Sequence, residues 1–141
     1  FTPADKPYVI GQAEVLTRGG DVTICANGHL VWEALEAANA LESQGIHAEV
    51  INFSTIKPLD LETLLASVHK TGRVVTAEEH QRNGGLGDSI AQALAMHRPT
   101  PMEMVAVNDS FGESGTPAQL LTKYGLDAAN IVAAVKRVLT R

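Results

Sequence analysis

The sequence GDVTICANG at residues 20–28 contains the segment that decides the fold. Its centre, Val22–Ala26, is a short and almost unbroken apolar run, bounded by Gly20 on one side and by Asn27 and Gly28 on the other. A run of this kind without polar alternation is typical of a strand that is buried on both faces. Strands buried in this way belong to parallel sheets that helices cover above and below.

Four further segments have the pattern of strands. The first is the stretch 8–16, which is interrupted by Gly11 and alternates only loosely, as expected of an edge strand. The other three are apolar runs at 48–53, 73–78 and 102–107. The chain is therefore predicted to contain about five strands.

Helical patterns separate and follow these strands. Apolar residues recur at helical spacing from Val31 onward, and Gly45 is the predicted stop. Asp60 has the side chain of an N-cap for a second helix, which is predicted to end at Gly72. The later helix-start signals are the GGLG sequence at 84–87, Thr116 and Asp127.

The alternation of strands and helices with short connections indicates parallel strands joined by right-handed crossovers. We therefore predict an α/β fold, a three-layer α/β/α sandwich with about five mostly parallel strands and one antiparallel edge strand. Residues 1–8 are predicted to be a linker from a preceding domain. Residues 9–141 are predicted to form a single domain.

Composition limits the classes of partner. The 141 residues include 11 basic and 16 acidic side chains, and the net charge of −5 argues against binding to nucleic acid or to an anionic membrane. No apolar run reaches the length of about eighteen residues that a transmembrane helix needs. The single cysteine, Cys25, excludes an internal disulfide and suits a reducing compartment, so we expect a cytoplasmic protein.

Glu78, Glu79 and His80 follow a predicted strand, at the sheet edge where ligands bind in open α/β folds. Two carboxylates beside an imidazole could form a general acid/base pair. The alternative is that one glutamate pairs with a basic neighbour while His80 lies in a polar loop or at a subunit contact. No nucleophile or metal partner accompanies the three residues, so the sequence favours this second interpretation.

Gly84, Gly85 and Gly87 open a predicted helix, whose backbone amides could bind an anion. The alternative is steric, because glycine permits positive φ angles and the close approach of a neighbouring segment. We favour the steric interpretation. The chain has no dinucleotide-binding GxGxxG, no phosphate-binding Walker loop, no paired cysteines and no HExxH, so no cofactor anchor is predicted.

Five motifs occur in order along the chain: VINFSTIKPLD at 50–60, TAEEH at 76–80, GGLG at 84–87, FGESG at 111–115 and LLTKYGL at 120–126. Taken together, they resemble the C-terminal domain of transketolases, and the resemblance extends from about residue 9 to the end of the chain. The tail is the most specific part and resembles split transketolases, whose two halves are separate polypeptides. The same domain occurs in 1-deoxyxylulose-5-phosphate synthases and in the beta subunits of 2-oxoacid dehydrogenase first components, which remain alternatives.

This resemblance implies a parent transferase that uses thiamine diphosphate and Mg²⁺ to move a two-carbon ketol unit between sugar phosphates. In this family the cofactor lies between a diphosphate-binding domain and a pyrimidine-binding domain of different subunits. The Gly-Asp-Gly motif with a later Asn, which holds magnesium and diphosphate in these enzymes, is absent from this chain. The resemblance therefore implies a structural and dimerisation domain that binds no cofactor or metal and contains no catalytic residue.

The resemblance also suggests partners. They are the pyrimidine-binding domain of the same chain, a diphosphate-binding domain or subunit, and further copies in a homo-oligomer. A different class of function, a stand-alone ligand-binding module that uses the crevice at the strand ends, also remains open. The candidate contacts for a neighbouring domain, a partner subunit or an anion are Glu79, His80, Gly84, Gly85 and Gly87.

Overall fold

A computed structural model of the chain describes residues 11–81, 85–107 and 127–141. The strands in these ranges are β1 (Glu14–Thr17), β2 (Val22–Ala26), β3 (Ala48–Asn52), β4 (Val74–Gln81) and β5 (Met102–Val107). They form one sheet in the order β1-β3-β2-β4-β5. β1 is antiparallel to β3, and all other neighbouring strands are parallel. The predicted mostly parallel sheet with an antiparallel edge strand is confirmed.

Helices cover both faces of the sheet. They are α1 (Leu30–Glu42), α2 (Leu61–Thr71), α3 (Leu86–His97) and α4 (Ala128–Leu139). α1 and α4 pack on one face and share a buried apolar cluster with β2, β3 and β4. α2 and α3 pack on the other face around a second cluster. The three-layer α/β/α sandwich is therefore confirmed. None of the described helices is long and apolar enough to cross a bilayer.

β2 lies in the middle of the sheet and is buried along its whole length, as its sequence predicted. Val22, Ile24 and Ala26 face α1 and α4, whereas Cys25 faces the opposite cluster. Burial raises the pKa of the Cys25 thiol far above its ordinary value, so the thiol stays protonated. The cysteine is a core side chain.

Several predicted strand boundaries were wrong. Within the described residues β1 begins at Glu14, because Gly11 has a φ of 82° and forms a turn before the strand. β3 ends at Asn52 rather than residue 53, and β4 begins at Val74 rather than residue 73. β4 continues to Gln81 instead of ending at Glu78. The predicted linker at 1–8 and the helix predicted to start at Thr116 lie outside the described residues.

The predicted helix caps are confirmed where they are described. The Asp60 carboxylate accepts hydrogen bonds from the Thr63 backbone amide (3.1 Å) and the Thr63 hydroxyl (2.7 Å). It also accepts one from the Ala13 amide (2.7 Å), so the same side chain ties α2 to the segment before β1. Gly72, at φ 69°, ends α2, and Asp127 accepts a bond from the Asn130 amide at the start of α4.

A buried polar network stabilises the end of the sheet at which the parallel strands begin, here called the amino edge; the end at which they finish is the carboxyl edge. Glu49 on β3 is 2% exposed and accepts hydrogen bonds from the Lys70 ammonium (2.5 Å) and the Gly19 amide (3.2 Å). Next to it, the Thr23 hydroxyl is 2.7 Å from the hydroxyls of both Ser67 and Thr71. The network joins β2 and β3 to α2, and a buried carboxylate needs such partners.

The adjacent glycines at 19 and 20 offer a matched test of this edge. A Cβ on Gly19 would lie 2.5 Å from the His47 carbonyl carbon and oxygen, whereas a Cβ on Gly20 would meet nothing within 4 Å. We expect Gly19→Ala to lower the free energy of unfolding by about 3 kcal/mol, because rigid backbone must move. Gly20→Ala should change it by less than about 0.5 kcal/mol. Equal urea-unfolding midpoints for the two variants would contradict the close approach.

The Asp60 cap predicts a pH dependence of stability. Burial alone would raise the pKa of this carboxyl, but hydrogen bonds from Thr63 and Ala13 outweigh burial and lower the pKa. Because the pKa in the folded state lies below the unfolded value of about 3.9, ionised Asp60 stabilises the fold fully at pH values above 3.9. This stabilisation is lost as the pH falls through the folded-state pKa. Asp60→Ala should therefore cost about 2 kcal/mol at neutral pH.

Asp60→Asn is the control, because asparagine caps helices about as well as aspartate but does not titrate. The difference in unfolding free energy between the wild type and Asp60→Asn should shrink when urea unfolding is repeated near pH 3. A difference that stays constant across this range would show that Asp60 does not carry the effect.

Candidate functional site

β4 is irregular at its carboxyl end, where the sequence predicted the candidate residues. Ala77 pairs with Val105 and Gln81 pairs with Val107, so β4 advances four residues while β5 advances two. The irregular segment contains Glu78, Glu79 and His80. Bulges of this kind re-aim side chains and are common beside functional sites. In this segment Glu78 is buried and Glu79 is exposed.

Glu78 is fully buried and lies against the start of α3. Its carboxylate accepts hydrogen bonds from the backbone amides of Leu86 (2.6 Å) and Gly87 (2.5 Å). These amides belong to the first turn of a helix, where no intrahelical carbonyl is available to them. The positive end of the helix dipole also favours a carboxylate there. None of the ion pairs between described residues involves Glu78, so these amides are the main observed partners of its charge.

Gly87 makes this contact sterically possible. A Cβ at this position would lie 3.1 Å from the Met104 sulfur, 3.2 Å from a Glu78 carboxylate oxygen and 3.2 Å from the Thr76 hydroxyl oxygen. Gly85 is buried and has a φ of −95°, a value that any residue can adopt, so a positive φ does not explain the glycine at this position. The steric interpretation of the glycines is supported at Gly87 by close approach.

The structure separates the predicted site residues into different roles. Glu79 is exposed on β4, and His80 lies beside it in the same strand. Gly85 and Gly87 are buried at the start of α3, and Gly84 lies outside the described residues. Their role as contacts for a neighbouring domain, a subunit or an anion stays a prediction. Since Glu78 already occupies the amides of Leu86 and Gly87, an external anion would have to displace it.

Sequence reasoning did not identify Glu78 as the internal partner of the glycine turn. A signal was present in the alternation of β4, because Val74, Thr76 and Glu78 have the same parity and share one face of the strand. Val74 belongs to the apolar cluster under α2 and α3. A glutamate on that face must be buried close to the next helix start.

Among the described residues, no three His, Cys, Asp or Glu side chains come together as metal ligands would. The amides at the start of α3, which have the geometry to hold a phosphate, are bound to Glu78 instead.

Comparison with known families and proteins gives a consistent result. The family model described as the transketolase C-terminal domain matches residues 11–131. A 6-deoxy-6-sulfo-D-fructose transketolase subunit from Clostridium sp. strain MSTE9 is 48% identical over 134 residues, covering 95% of this chain and 42% of that protein. An apulose-4-phosphate transketolase subunit from Phocaeicola vulgatus is 37% identical over 127 residues, covering 90% of this chain and 40% of that protein.

The solved structures agree. A chain described as a split gene transketolase, inactive beta4 tetramer, has a TM-score of 0.95 and 49% identity, covering 99% of this chain and 46% of its own. The chain thus spans less than half the length of these relatives. A 1-deoxy-D-xylulose-5-phosphate synthase from Geobacter sulfurreducens is also homologous, at 42% identity over 132 residues, but this chain covers 21% of it. The predicted resemblance is confirmed: the chain belongs to the transketolase C-terminal domain family.

Proposed function

We propose that this chain is the supporting and dimerisation domain of a split transketolase, which transfers a two-carbon ketol unit between sugar phosphates. The observation that carries the proposal is the 48% identity over 134 residues to a transketolase subunit. The 0.95 TM-score to a split gene transketolase supports the same assignment over 99% of the chain. The synthase alternative is less well supported, because the identity is 48–49% to the transketolase subunit and the split gene transketolase but 42% to the synthase.

In this proposal the chemistry belongs to other parts of the parent enzyme. Thiamine diphosphate and Mg²⁺ are held between a pyrimidine-binding domain of the same chain and a diphosphate-binding domain or subunit. The C-terminal domain binds neither and has no catalytic residue. The internal use of the α3 amides by Glu78 supports this division, because the one described helix start beside the candidate residues is already satisfied.

The carboxyl edge is the proposed contact surface for the pyrimidine-binding domain or a partner subunit. Its candidate residues are Glu79, His80, Gly84, Gly85 and Gly87. Support comes from the exposure of Glu79 in the irregular end of β4. The structural neighbour is described as a tetramer, which supports a homo-oligomer here as well. A cytoplasmic location is consistent with a lone, buried, unoxidised cysteine.

The reaction class is tested by expressing the parent chain together with a diphosphate-domain subunit. We expect ketol transfer from a ketose phosphate to an aldose phosphate that depends on added thiamine diphosphate and Mg²⁺. The control reaction is decarboxylation of a 2-oxoacid by the same preparation. Decarboxylation without ketol transfer would reject the transketolase assignment in favour of a dehydrogenase component.

Charge reversal at the carboxyl edge tests the proposed contact surface. In the parent chain, Glu79→Arg should weaken subunit association by about tenfold or more, because an interface that accepts one charge disfavours its opposite. Glu42→Arg is the matched control, since Glu42 is also exposed but lies at the far end of α1, near the amino edge. Sedimentation velocity measures both, and equal association constants would reject this surface.

A further inference from the structure

A side chain of β4 is hydrogen-bonded to the start of α3. The Glu78 carboxylate reaches across eight and nine positions of sequence to the amides of Leu86 and Gly87, at 2.6 and 2.5 Å. A charged acceptor with two short amide bonds is among the stronger contacts a protein makes. The contact is fully buried, so water does not compete with it.

Pairing with β5 is irregular in this part of β4. The register between β4 and β5 is regular as far as Ala77 and resumes only at Gln81. Within the bulge, the backbone of Glu78 and Glu79 lacks the regular pairing that fixes the residues before it. The two hydrogen bonds of Glu78 are therefore a direct link that fixes this irregular segment relative to α3.

The Glu78 carboxylate lies in a tightly packed cradle formed by Gly87, Met104 and Thr76. Gly87 has no room for a Cβ without crowding a Glu78 oxygen at 3.2 Å and the Met104 sulfur at 3.1 Å. The Thr76 hydroxyl oxygen lies in the same cradle, is fully buried, and has no hydrogen-bond partner among the described residues. A buried polar atom left unsatisfied is a cost that a purely apolar packing of α3 on β4 would avoid. The contact between β4 and α3 therefore contains two buried polar groups, the Glu78 carboxylate and the Thr76 hydroxyl.

From these observations we infer that Glu78 is a positioning residue. Its buried carboxylate fixes the start of α3 against the irregular end of β4, and so sets the position of the exposed Glu79 at the carboxyl edge. The partner subunit, expected because the structural neighbour is described as a tetramer, then meets a preformed surface, which lowers the cost of ordering it on association. The inference rests on the proposed function, because that function makes this edge a contact surface.

The two hydrogen bonds of Glu78 are tested on the wild-type chain by amide hydrogen exchange. Amides in the first turn of a helix normally exchange quickly, since they lack intrahelical acceptors. The Leu86 and Gly87 amides should exchange at least about a hundredfold more slowly than in an unstructured chain, because Glu78 protects them. Exchange as fast as that of an unprotected amide would overturn the inference. Because this experiment uses the wild-type chain, its result does not depend on whether a variant folds.

The positioning role is tested with Glu78→Asp and Glu78→Gln in the parent chain. Aspartate keeps the charge but is too short to reach both amides, and glutamine keeps the length but turns an NH₂ group toward an amide donor. Both should weaken association with the partner subunit by about tenfold or more, measured where circular dichroism shows the variants folded. Glu49→Gln is the matched control, since it removes a buried carboxylate at the amino edge.

Glu49→Gln should lower the melting temperature and leave the association constant unchanged. If it weakens association as much as the Glu78 variants do, loss of stability explains both and the positioning role is rejected. If Glu79→Arg weakens association and the Glu78 variants do not, the contact surface stands and the positioning role fails. If none of these variants at the carboxyl edge affects association, the proposed contact surface fails, whatever hydrogen exchange shows about the hydrogen bonds of Glu78.

Discussion

Burial of β2 on both faces is the constraint from which the rest of the structure follows. A strand in this position must have all its backbone groups paired by neighbours and its side chains covered from two directions. β3 and β4 supply the pairing, α1 and α4 cover one face, and α2 and α3 cover the other. The side chains of β2 that face α2 include Thr23, whose hydroxyl bonds to Ser67 and Thr71, so even its polar member is satisfied.

The two edges of this sheet use buried carboxylates in different ways. At the amino edge, Glu49 joins β3 to α2 with a lysine and a glycine amide as partners. At the carboxyl edge, Glu78 joins β4 to α3 with two backbone amides and no ion pair among the described residues. Glu49 lies in a regular part of its strand, whereas Glu78 lies in the irregular end of β4, next to the exposed Glu79. Because the Glu78 carboxylate accepts hydrogen bonds from the first amides of α3, those amides are not free to bind an external anion.

The sequence predicted the layers well and the carboxyl edge poorly, for physical reasons. Unbroken apolar runs and helical periodicity report burial directly, and capping at Asp60 and Asp127 depends on the helix that begins there. The start of β1 depended on a turn at Gly11, and the extension of β4 depended on a bulge that only pairing with β5 defines. Glu78 was missed because its partners are backbone amides eight and nine residues away, and amides leave no residue type in the sequence to recognise.

The central claim is that this chain is a scaffold and that the groups which activate thiamine diphosphate belong to other domains. Calorimetric titration of the purified 141-residue chain with magnesium and thiamine diphosphate tests it most directly. The account predicts no saturable heat at cofactor concentrations up to the millimolar range, with the same melting temperature in the presence and absence of cofactor. Saturable micromolar binding, or a rise in melting temperature that follows the cofactor concentration, would contradict it.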